Sequence, residues 1–375
     1  MVLANSVVNK NKAFTLVEVI VILGVIAILA AIAVPLAFRI FQVTAEDATR
    51  EEMDNLKKAI IGDPQKLQSS FRSDFGFLGD IGCMPSVLDR LVTQGTLPAW
   101  TFNSSNQAGA GWKGPYITGT PGEEFNKDQW GNLYTYTVPA GTCPLTATLT
   151  SNGPDGQPST GDDITVSMTA NETTATVRGK VKDTAGVGLQ SVPVEFYSPV
   201  SGTLTTTTAN TDANGEYVFS SAPFGARAVR ALPRLVYSPG SVTTANGGTD
   251  ITFKVVNYST SSYTIGRMQA DYTGGATYDE IRINGTAVDP LGTFSSGTNV
   301  NVTNTVIAAS SATRPSMRVF VDSPDTQLPD TTVSGQGTVA TIELNNFTQD
   351  VRGIPFTVTF NPTGAFPISI VKFTP

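Results

Sequence analysis

Residues 13–18 read Ala-Phe-Thr-Leu-Val-Glu and run directly into residues 19–38, twenty positions without a charged side chain. An uncharged run of this length is sufficient to cross the roughly 30 Å hydrocarbon core of a bilayer as a helix. Lys10 and Lys12 precede the run and Arg39 follows it, so the positive-inside rule leaves its orientation open. No small-residue cleavage site of the secretory type follows residue 38, so the stretch predicts a retained membrane helix.

The helical pattern continues beyond the uncharged run to residue 61, where Gly62, Asp63 and Pro64 predict its end. Good helix formers are frequent in this second half, which is amphipathic. At ~1.5 Å per residue, residues 14–61 form a rod of about 72 Å. Glu18 is unusual in this rod, because a carboxylate inside a membrane helix is costly and normally marks a function. A carboxylate that reaches water at the membrane surface is the alternative interpretation.

The basic leader, residues 13–18 and Pro35 together resemble the class III signal of type IV pilins and type II secretion pseudopilins. The resemblance implies that a prepilin peptidase cleaves between Ala13 and Phe14 and methylates the new amine of Phe14. Ala13 stands where this family almost always has Gly. The resemblance also implies that Glu18 pairs with the Phe14 amine of a neighbouring subunit and sets the axial register. Pro35 falls where the family keeps a proline that removes one backbone hydrogen bond.

Residues 62–170 predict a compact α+β head. Residues 112–117 read Trp-Lys-Gly-Pro-Tyr-Ile, and residues 128–136 read Asp-Gln-Trp-Gly-Asn-Leu-Tyr-Thr-Tyr. The alternation around Leu133 predicts a strand, and the Gly-Pro and Gly-Asn pairs predict turns. Most of these aromatic residues are expected in the core. Their order is similar to that of the major pseudopilin of type II secretion, which favours that subtype.

An acidic loop near the end of the head is a candidate calcium site. Calcium binds six to eight oxygen ligands on a flexible loop. The candidate ligands are Leu149 through its carbonyl, Ser151, Asp155, Asp162 and Asp163. Spacing alone explains the same residues equally well as a solvated turn with surface aspartates. The resembled family has a calcium loop at this place, which favours one bound Ca²⁺.

Cys83 and Cys143 are the two cysteines of the chain, and both fall within the predicted head. In an oxidising compartment such a pair forms a disulfide that closes a long loop. Two separate buried thiols are the alternative. Neither cysteine belongs to a redox motif or a metal-ligand spacing, which favours the disulfide.

The rest of the chain predicts two all-β sandwiches after the α+β pilin fold and its long N-terminal transmembrane and rod helix. In residues 171–248, strands at 174–182 and 192–197 and a turn at 212–215 resemble a carboxypeptidase regulatory-like sandwich of the transthyretin type. In residues 249–375, strands recur at short intervals and predict a second antiparallel sandwich. One of these strands is predicted at 317–321. Residues 1–13 complete the organisation as the leader.

Composition narrows the possible functions. The chain has no histidine, so Ser-His-Asp, Cys-His and ordinary zinc sites cannot be built. Its 24 Lys and Arg against 31 Asp and Glu disfavour binding to nucleic acid through a basic surface. Charged residues are only 15% of the chain, and the predicted work is assembly rather than catalysis.

The order of the parts predicts a structural subunit of a type IV pilus-like or type II secretion filament, and not an enzyme. Its expected partners are copies of itself, a prepilin peptidase and an assembly platform in the inner membrane. The chain is expected in the inner membrane before assembly and in a periplasmic or extracellular filament afterwards. One alternative is a surface adhesin or minor pilin that binds a glycan or protein. Another is a membrane-anchored polysaccharide-active enzyme, since carboxylate pairs remain available.

Overall fold

The computed structural model describes residues 15–118, 124–232, 235–310, 316–333, 337–363 and 368–375. Its first element is helix α1, Leu16–Ile61, which confirms the predicted long N-terminal helix and ends at Gly62 with φ +84°. Within the described part of the chain, α1 is the one helix long and apolar enough to cross a membrane. Pro35 lies inside the helix without ending it. Since proline has no amide proton, one hydrogen bond of the preceding turn is missing.

The C-terminal end of α1 packs on the head, whereas the part before it is exposed. The buried side chains recur mostly at spacings of three and four, which places them on one helical face. They are Thr49, Met53, Leu56, Ala59, Ile60 and Ile61. Two short helices follow later in the chain, α2 at Gly76–Ile81 and α3 at Ala170–Thr173.

Short strands complete the α+β head. They are β1 Leu67–Gln68, β2 Phe71–Arg72, β3 Thr101–Asn103, β4 Ala108–Ala110, β5 Thr135–Thr137, β6 Ala147–Ser151 and β7 Ile164–Met168. Single 3-10 turns lie at Leu88–Leu91 and Glu124–Asn126. An antiparallel sheet of order β5-β6-β7 faces α1, and its central strand contributes the fully buried Leu149 to the head core.

In the described residues after α3, the regular elements are strands and one 3-10 turn at Asn246–Gly248. The strands are β8 Thr174–Lys182, β9 Pro193–Val200, β10 Thr203–Asn210, β11 Glu216–Pro223, β12 Gly225–Ala231, β13 Leu235–Tyr237, β14 Thr243–Ala245, β15 Asp250–Asn257, β16 Tyr263–Asp271, β17 Thr277–Tyr278, β18 Glu280–Ile283, β19 Thr286–Ala287, β20 Phe294–Ser295, β21 Asn299–Ile307, β22 Met317–Val321, β23 Asp325–Gln327, β24 Thr331–Thr332, β25 Thr338–Asn345, β26 Phe356–Pro362 and β27 Ser369–Phe373. The predicted fold class, a pilin-like N-terminal part followed by β structure, is confirmed.

Two pairs of facing sheets form the sandwiches. The first sandwich has sheets of order β10-β9-β12-β22 and β11-β8-β23, with β24 also paired to β8. Its core includes the stacked rings of Phe196 and Phe219, whose centroids are 5.1 Å apart. The second sandwich has sheets of order β13-β15-β25-β18-β19 and β21-β16-β26-β27, with β14 also paired to β15. Phe253 and Phe356 are fully or almost fully buried between these sheets.

Strand pairing divides the sandwiches differently from the expected split between residues 248 and 249. Strands β13 and β14 precede residue 249, but they pair with β15 in the second sandwich. Strands β22 to β24 follow it, but they pair with β12 and β8 in the first. Val319, Val321 and Leu328 from this returning segment fill the first core. The predicted strand at 317–321 therefore exists in the other sandwich, because tertiary packing decides which sheet a strand joins.

Candidate assembly helix and acidic loop

Helix α1 begins with reciprocal hydrogen bonds between two exposed residues, Thr15 and Glu18. The Glu18 amide donates to Thr15 Oγ1 at 3.3 Å, and Glu18 Oε2 accepts from both the Thr15 amide and hydroxyl at 3.1 Å. This capping box satisfies amides that have no partner within the first turn. These hydrogen bonds therefore hold the Glu18 carboxylate at the N-terminal end of the helix. The predicted processing residues, Ala13 and Phe14, lie outside the described residues.

The surface that follows is apolar and exposed. Every side chain of α1 from residue 16 to residue 44 is exposed, and the only charged positions among them are Glu18 and Arg39. Pro35 lies within this surface. Apolar area in water costs about 25 cal/mol per Å² relative to burial. This half of α1 therefore requires lipid or other helices around it.

Polar contacts fix the other end of α1 to the head. Lys57 Nζ donates at 2.5 Å to Oε1 of Glu172, which lies in the short helix α3. The Tyr134 hydroxyl donates to Glu52 Oε2 at 3.1 Å. Burial raises the pKa of Tyr134, and the nearby Glu52 carboxylate raises it further. The motif at residues 128–136 is thus tied to the rod, so the orientation of the head follows that of α1.

Three of the predicted calcium ligands meet around one hydroxyl. Thr160 Oγ1 lies 3.4 Å from Asp155 Oδ1, 2.8 Å from Asp162 Oδ1 and 3.2 Å from Asp163 Oδ1. A hydroxyl has a single proton, so it can donate to only one of these carboxylates at a time. The Thr160 hydroxyl lowers the pKa of Asp162 below its usual value. Among the described residues, no group of three or more His, Cys, Asp or Glu side chains has the arrangement of a formed metal site.

The other two predicted ligands have different surroundings. Leu149 lies within the central strand β6 of the head sheet, and its side chain is fully buried. The buried Ser151 hydroxyl donates to Asp128 Oδ2 at 2.6 Å and accepts from the Gly153 amide at 3.2 Å. Asp128 also accepts from the Asn132 amide at 2.8 Å. The Asp-x-Trp-Gly-Asn motif therefore forms a buried hydrogen-bond network beneath the loop. The sequence analysis predicted neither this network nor the position of Thr160.

A disulfide lies where the head meets the first sandwich. Cys83 and Cys143 are bonded, with their Cα atoms 5.0 Å apart. The turn between β9 and β10 packs on this bridge, since the Ser201 amide donates to Cys83 Sγ at 3.2 Å. The Gly202 amide donates to the Ile81 carbonyl at 2.9 Å, at the end of α2. The disulfide thus supports both the head and its junction with the sandwich.

The fully buried Arg227 forms the centre of the same junction. It extends from β12 and donates to the carbonyls of Gly79 in the head at 2.8 Å and of Pro223 and Phe224 in the sandwich at 3.0 and 2.5 Å. Burial lowers the pKa of this guanidinium to about 9, and Asp80 opposes the change. The alternation of residues in β12 would not assign a charged side chain to the core, and the sequence offered no other signal for it.

Comparisons with known families match two segments of the N-terminal half. Residues 8–34 match the Prokaryotic N-terminal methylation motif. Residues 91–168 match the family described as Type II secretion system (T2SS), protein G. The first match contains the predicted cleavage junction, Glu18 and most of the apolar run. The second contains both aromatic motifs and the acidic loop. The sequence-based resemblance to pilins and pseudopilins is confirmed for these segments.

Comparisons with whole proteins add little. No curated protein sequence matches the chain. A putative carbohydrate binding protein from Bacteroides uniformis ATCC 8492 is 13% identical, over 54% of this chain and 99% of that one, with a TM-score of 0.22. The T6 backbone pilin of serotype M6 Streptococcus pyogenes is 14% identical, over 51% of this chain and 43% of that one, with a TM-score of 0.19. With TM-scores this low, neither similarity supports a conclusion about this chain.

Proposed function

We propose, from the N-terminal methylation motif and the type II secretion protein G segment that this chain contains, that it is a structural subunit of a type IV pilus-like or type II secretion filament. The observation that carries the proposal is the exposed apolar half of α1 with Glu18 at its start. Lipid covers this surface before assembly. In the filament, the same surface packs against the α1 helices of neighbouring copies.

Glu18 selects the register of that packing. A prepilin peptidase cleaves between Ala13 and Phe14 and methylates the new amine, which keeps a positive charge at the helix start. An unpaired carboxylate buried among helices is strongly destabilising, whereas a carboxylate paired with a cation is tolerated. The Phe14 amine of a neighbouring copy supplies that cation, so only one axial offset between subunits satisfies both groups. In the isolated chain, Thr15 holds the carboxylate in its place.

The substitution Glu18→Leu tests this function in cells that contain the assembly machinery. We expect the variant to reach the membrane in normal amounts and to be absent from filaments sheared off the cells, as measured by immunoblotting of both fractions. Glu46→Leu is the matched control, because Glu46 is an exposed acid of the same helix that pairs with Arg50 outside the apolar surface. Normal filament incorporation of Glu18→Leu would contradict the proposed role.

The two sandwiches follow the head in the chain, and we place them on the outside of the filament. Both matched segments belong to structural families, which supports a non-enzymatic role.

A secretion filament remains in the periplasm, whereas a pilus extends from the cell. Filament diameter by electron microscopy, and the amount of subunit outside intact cells, distinguish the two. About two hundred added residues per subunit favour the roomier extracellular space.

The same proposal includes one Ca²⁺ at the acidic loop. Three carboxylates around a single hydroxyl form a donor set that a hard cation stabilises, with Asp155, Asp162 and Asp163 as its charged ligands. Bound Ca²⁺ supplies the positive charge that holds these carboxylates together. Calorimetric titration of the full chain in detergent with CaCl₂ should show binding that Asp162→Asn abolishes. Asp212→Asn, which alters a turn aspartate of the first sandwich, should leave it unchanged.

A titration that shows no Ca²⁺ binding, or equal Ca²⁺ binding by Asp162→Asn, would contradict the calcium assignment. The assembly proposal is tested separately, since it depends on Glu18. A calcium-bound head should also unfold at a higher temperature, because a ligand of the folded state stabilises it by mass action. Removal of Ca²⁺ with EDTA should reverse that increase.

A further inference from the structure

A cleft of about 340 Å³ opens between the head and the first sandwich, apart from α1 and from the acidic loop. One wall is the hairpin of β3 and β4 with residues 113–116, and the other includes β12 and β22. The Ser316 hydroxyl donates to the Ser105 carbonyl at 3.4 Å, which connects the two walls. Because β22 returns to the first sandwich from the C-terminal third of the chain, the cleft requires parts that are distant in sequence.

Aromatic rings line both walls of the cleft. Trp100 and Phe102 lie nearly parallel, with ring centroids 6.3 Å apart, and Phe102 is 46% exposed. On the opposite wall, Phe320 stacks on Phe71 with centroids 5.6 Å apart. Half-buried and exposed rings of this kind bind the apolar faces of flat or ring-shaped ligands.

Each aromatic wall also carries a cation. Lys113 Nζ lies 5.0 Å from the centre of the Trp100 ring, and Arg318 Cζ lies 5.3 Å from the centre of the Phe320 ring. Neither cation forms an ion pair with a carboxylate of the described residues. The rings hold the two charges in place, so less side-chain freedom is lost when an anion binds.

Two acidic residues, Asp74 and Asp80, also line the cleft, and each has cationic partners of its own. Asp74 pairs with Lys66 at 3.0 Å, which neutralises it. Asp80 accepts from the Tyr116 hydroxyl at 3.1 Å. Burial raises the pKa of its carboxyl, and this hydroxyl and the nearby Lys113 cation oppose that change. The buried Arg227 lies near Asp80 and adds a further positive charge below the cleft. Around the cleft four cations, Lys66, Lys113, Arg227 and Arg318, outnumber the two acids, so the cleft is positive as well as aromatic.

We infer that this cleft binds an acidic saccharide, a pyranose ring that carries a carboxylate. The sugar ring packs on Trp100 and Phe102, its carboxylate pairs with Arg318 and Lys113, and its hydroxyl groups bond to Asp80. A neutral sugar leaves both cations unpaired. An acidic peptide pairs with the cations but lacks a ring for the aromatic wall. The inference goes beyond filament assembly and depends on none of the residues that assembly uses.

Calorimetric titration of the full chain in detergent tests the inference. The acidic probes are hexamers of galacturonate, glucuronate and mannuronate, and the comparison probes are maltohexaose and hexaglutamate. We expect at least one uronate hexamer to bind about tenfold more tightly than both comparison probes, as loss of one ion pair or one stacking contact predicts. Failure of all three uronates to bind, or equal binding of hexaglutamate, would overturn the inference.

Variants locate the binding. Arg318→Ala and Trp100→Ala should each weaken uronate binding about tenfold, whereas Trp100→Phe should retain most of it. Arg352→Ala is the matched control, because Arg352 is an exposed arginine of the second sandwich that pairs with Asp350. Should Trp100→Ala fail to fold, the double variant Trp100→Phe/Arg318→Ala replaces it. Unchanged uronate binding by both Arg318→Ala and this double variant would overturn the assignment to this cleft. Arg318→Ala should still assemble into filaments, so its result is separate from that of the assembly proposal.

Discussion

Replacing Arg227 with methionine removes the buried guanidinium that joins the head to the first sandwich. The carbonyls of Gly79, Pro223 and Phe224 then lose donors that lie at 2.8, 3.0 and 2.5 Å. Each buried carbonyl left without its donor costs about 1 kcal/mol or more. Methionine keeps much of the side-chain volume, so we expect the free energy of unfolding to fall by about 3 kcal/mol. Because Gly79 belongs to the head and Arg227 to the sandwich, part of this loss is their mutual coupling.

Two optical signals separate head and sandwich unfolding. The tryptophans of the chain are Trp100, Trp112 and Trp130, all in the head. Their fluorescence therefore follows the head during denaturation in detergent, while far-ultraviolet circular dichroism follows mainly the strands. We expect the head transition of Arg227→Met to move to lower denaturant and to separate from the strand signal. Arg178→Met, which loses only the exposed pair with Asp325 at 3.3 Å, should change stability by less than about 1 kcal/mol. A head transition in Arg227→Met that matches this control would refute the role of the buried arginine.

Three further changes probe separate parts of the molecule. Burial raises the pKa of Asp80, so its charged form destabilises the fold as pH rises. In thermal melts, Asp80→Asn should be more stable than the native chain at about pH 7 and equal to it at about pH 3. A stability difference that does not change with pH would contradict this expectation. Replacing both Cys83 and Cys143 with serine removes a disulfide between residues 60 positions apart. The free energy of unfolding, measured by denaturant titration, should fall by about 4 kcal/mol. A fall of less than about 1 kcal/mol would contradict this expectation. Phe253→Ala should lower the free energy of unfolding of the second sandwich by about 3–5 kcal/mol, as followed by circular dichroism. The tryptophan fluorescence transition of the head should stay unchanged. An equal loss in that transition would show that the head and the second sandwich do not unfold independently.

Local signals predicted the elements whose own residues determine them. The uncharged run and the Gly62 stop predicted α1, and alternation predicted strands such as β8 and β15. Strand β16 was not predicted, because Gly266 and Arg267 interrupt its apolar pattern. Nor was β12, whose small residues and buried Arg227 reverse the usual alternation.

Features that depend on the conformation of a loop or on distant residues could not be predicted from the sequence. The three loop aspartates were identified from spacing and family resemblance, but Thr160 at their centre was not. Likewise, the return of β22 to the first sandwich is decided by packing against β12, which no local pattern reports. The aromatic cleft could not be predicted for the same reason, since Trp100 and Arg318 are brought together only by that return.

Mass spectrometry of the mature N-terminus tests the central claim most directly. The chain is to be isolated from cells that contain a prepilin peptidase, and its N-terminal peptide sequenced. We predict a first residue of N-methylated Phe14, with Glu18 five positions into the mature chain. Retention of residues 1–13, or a new terminus beyond the apolar run, would contradict assembly through α1.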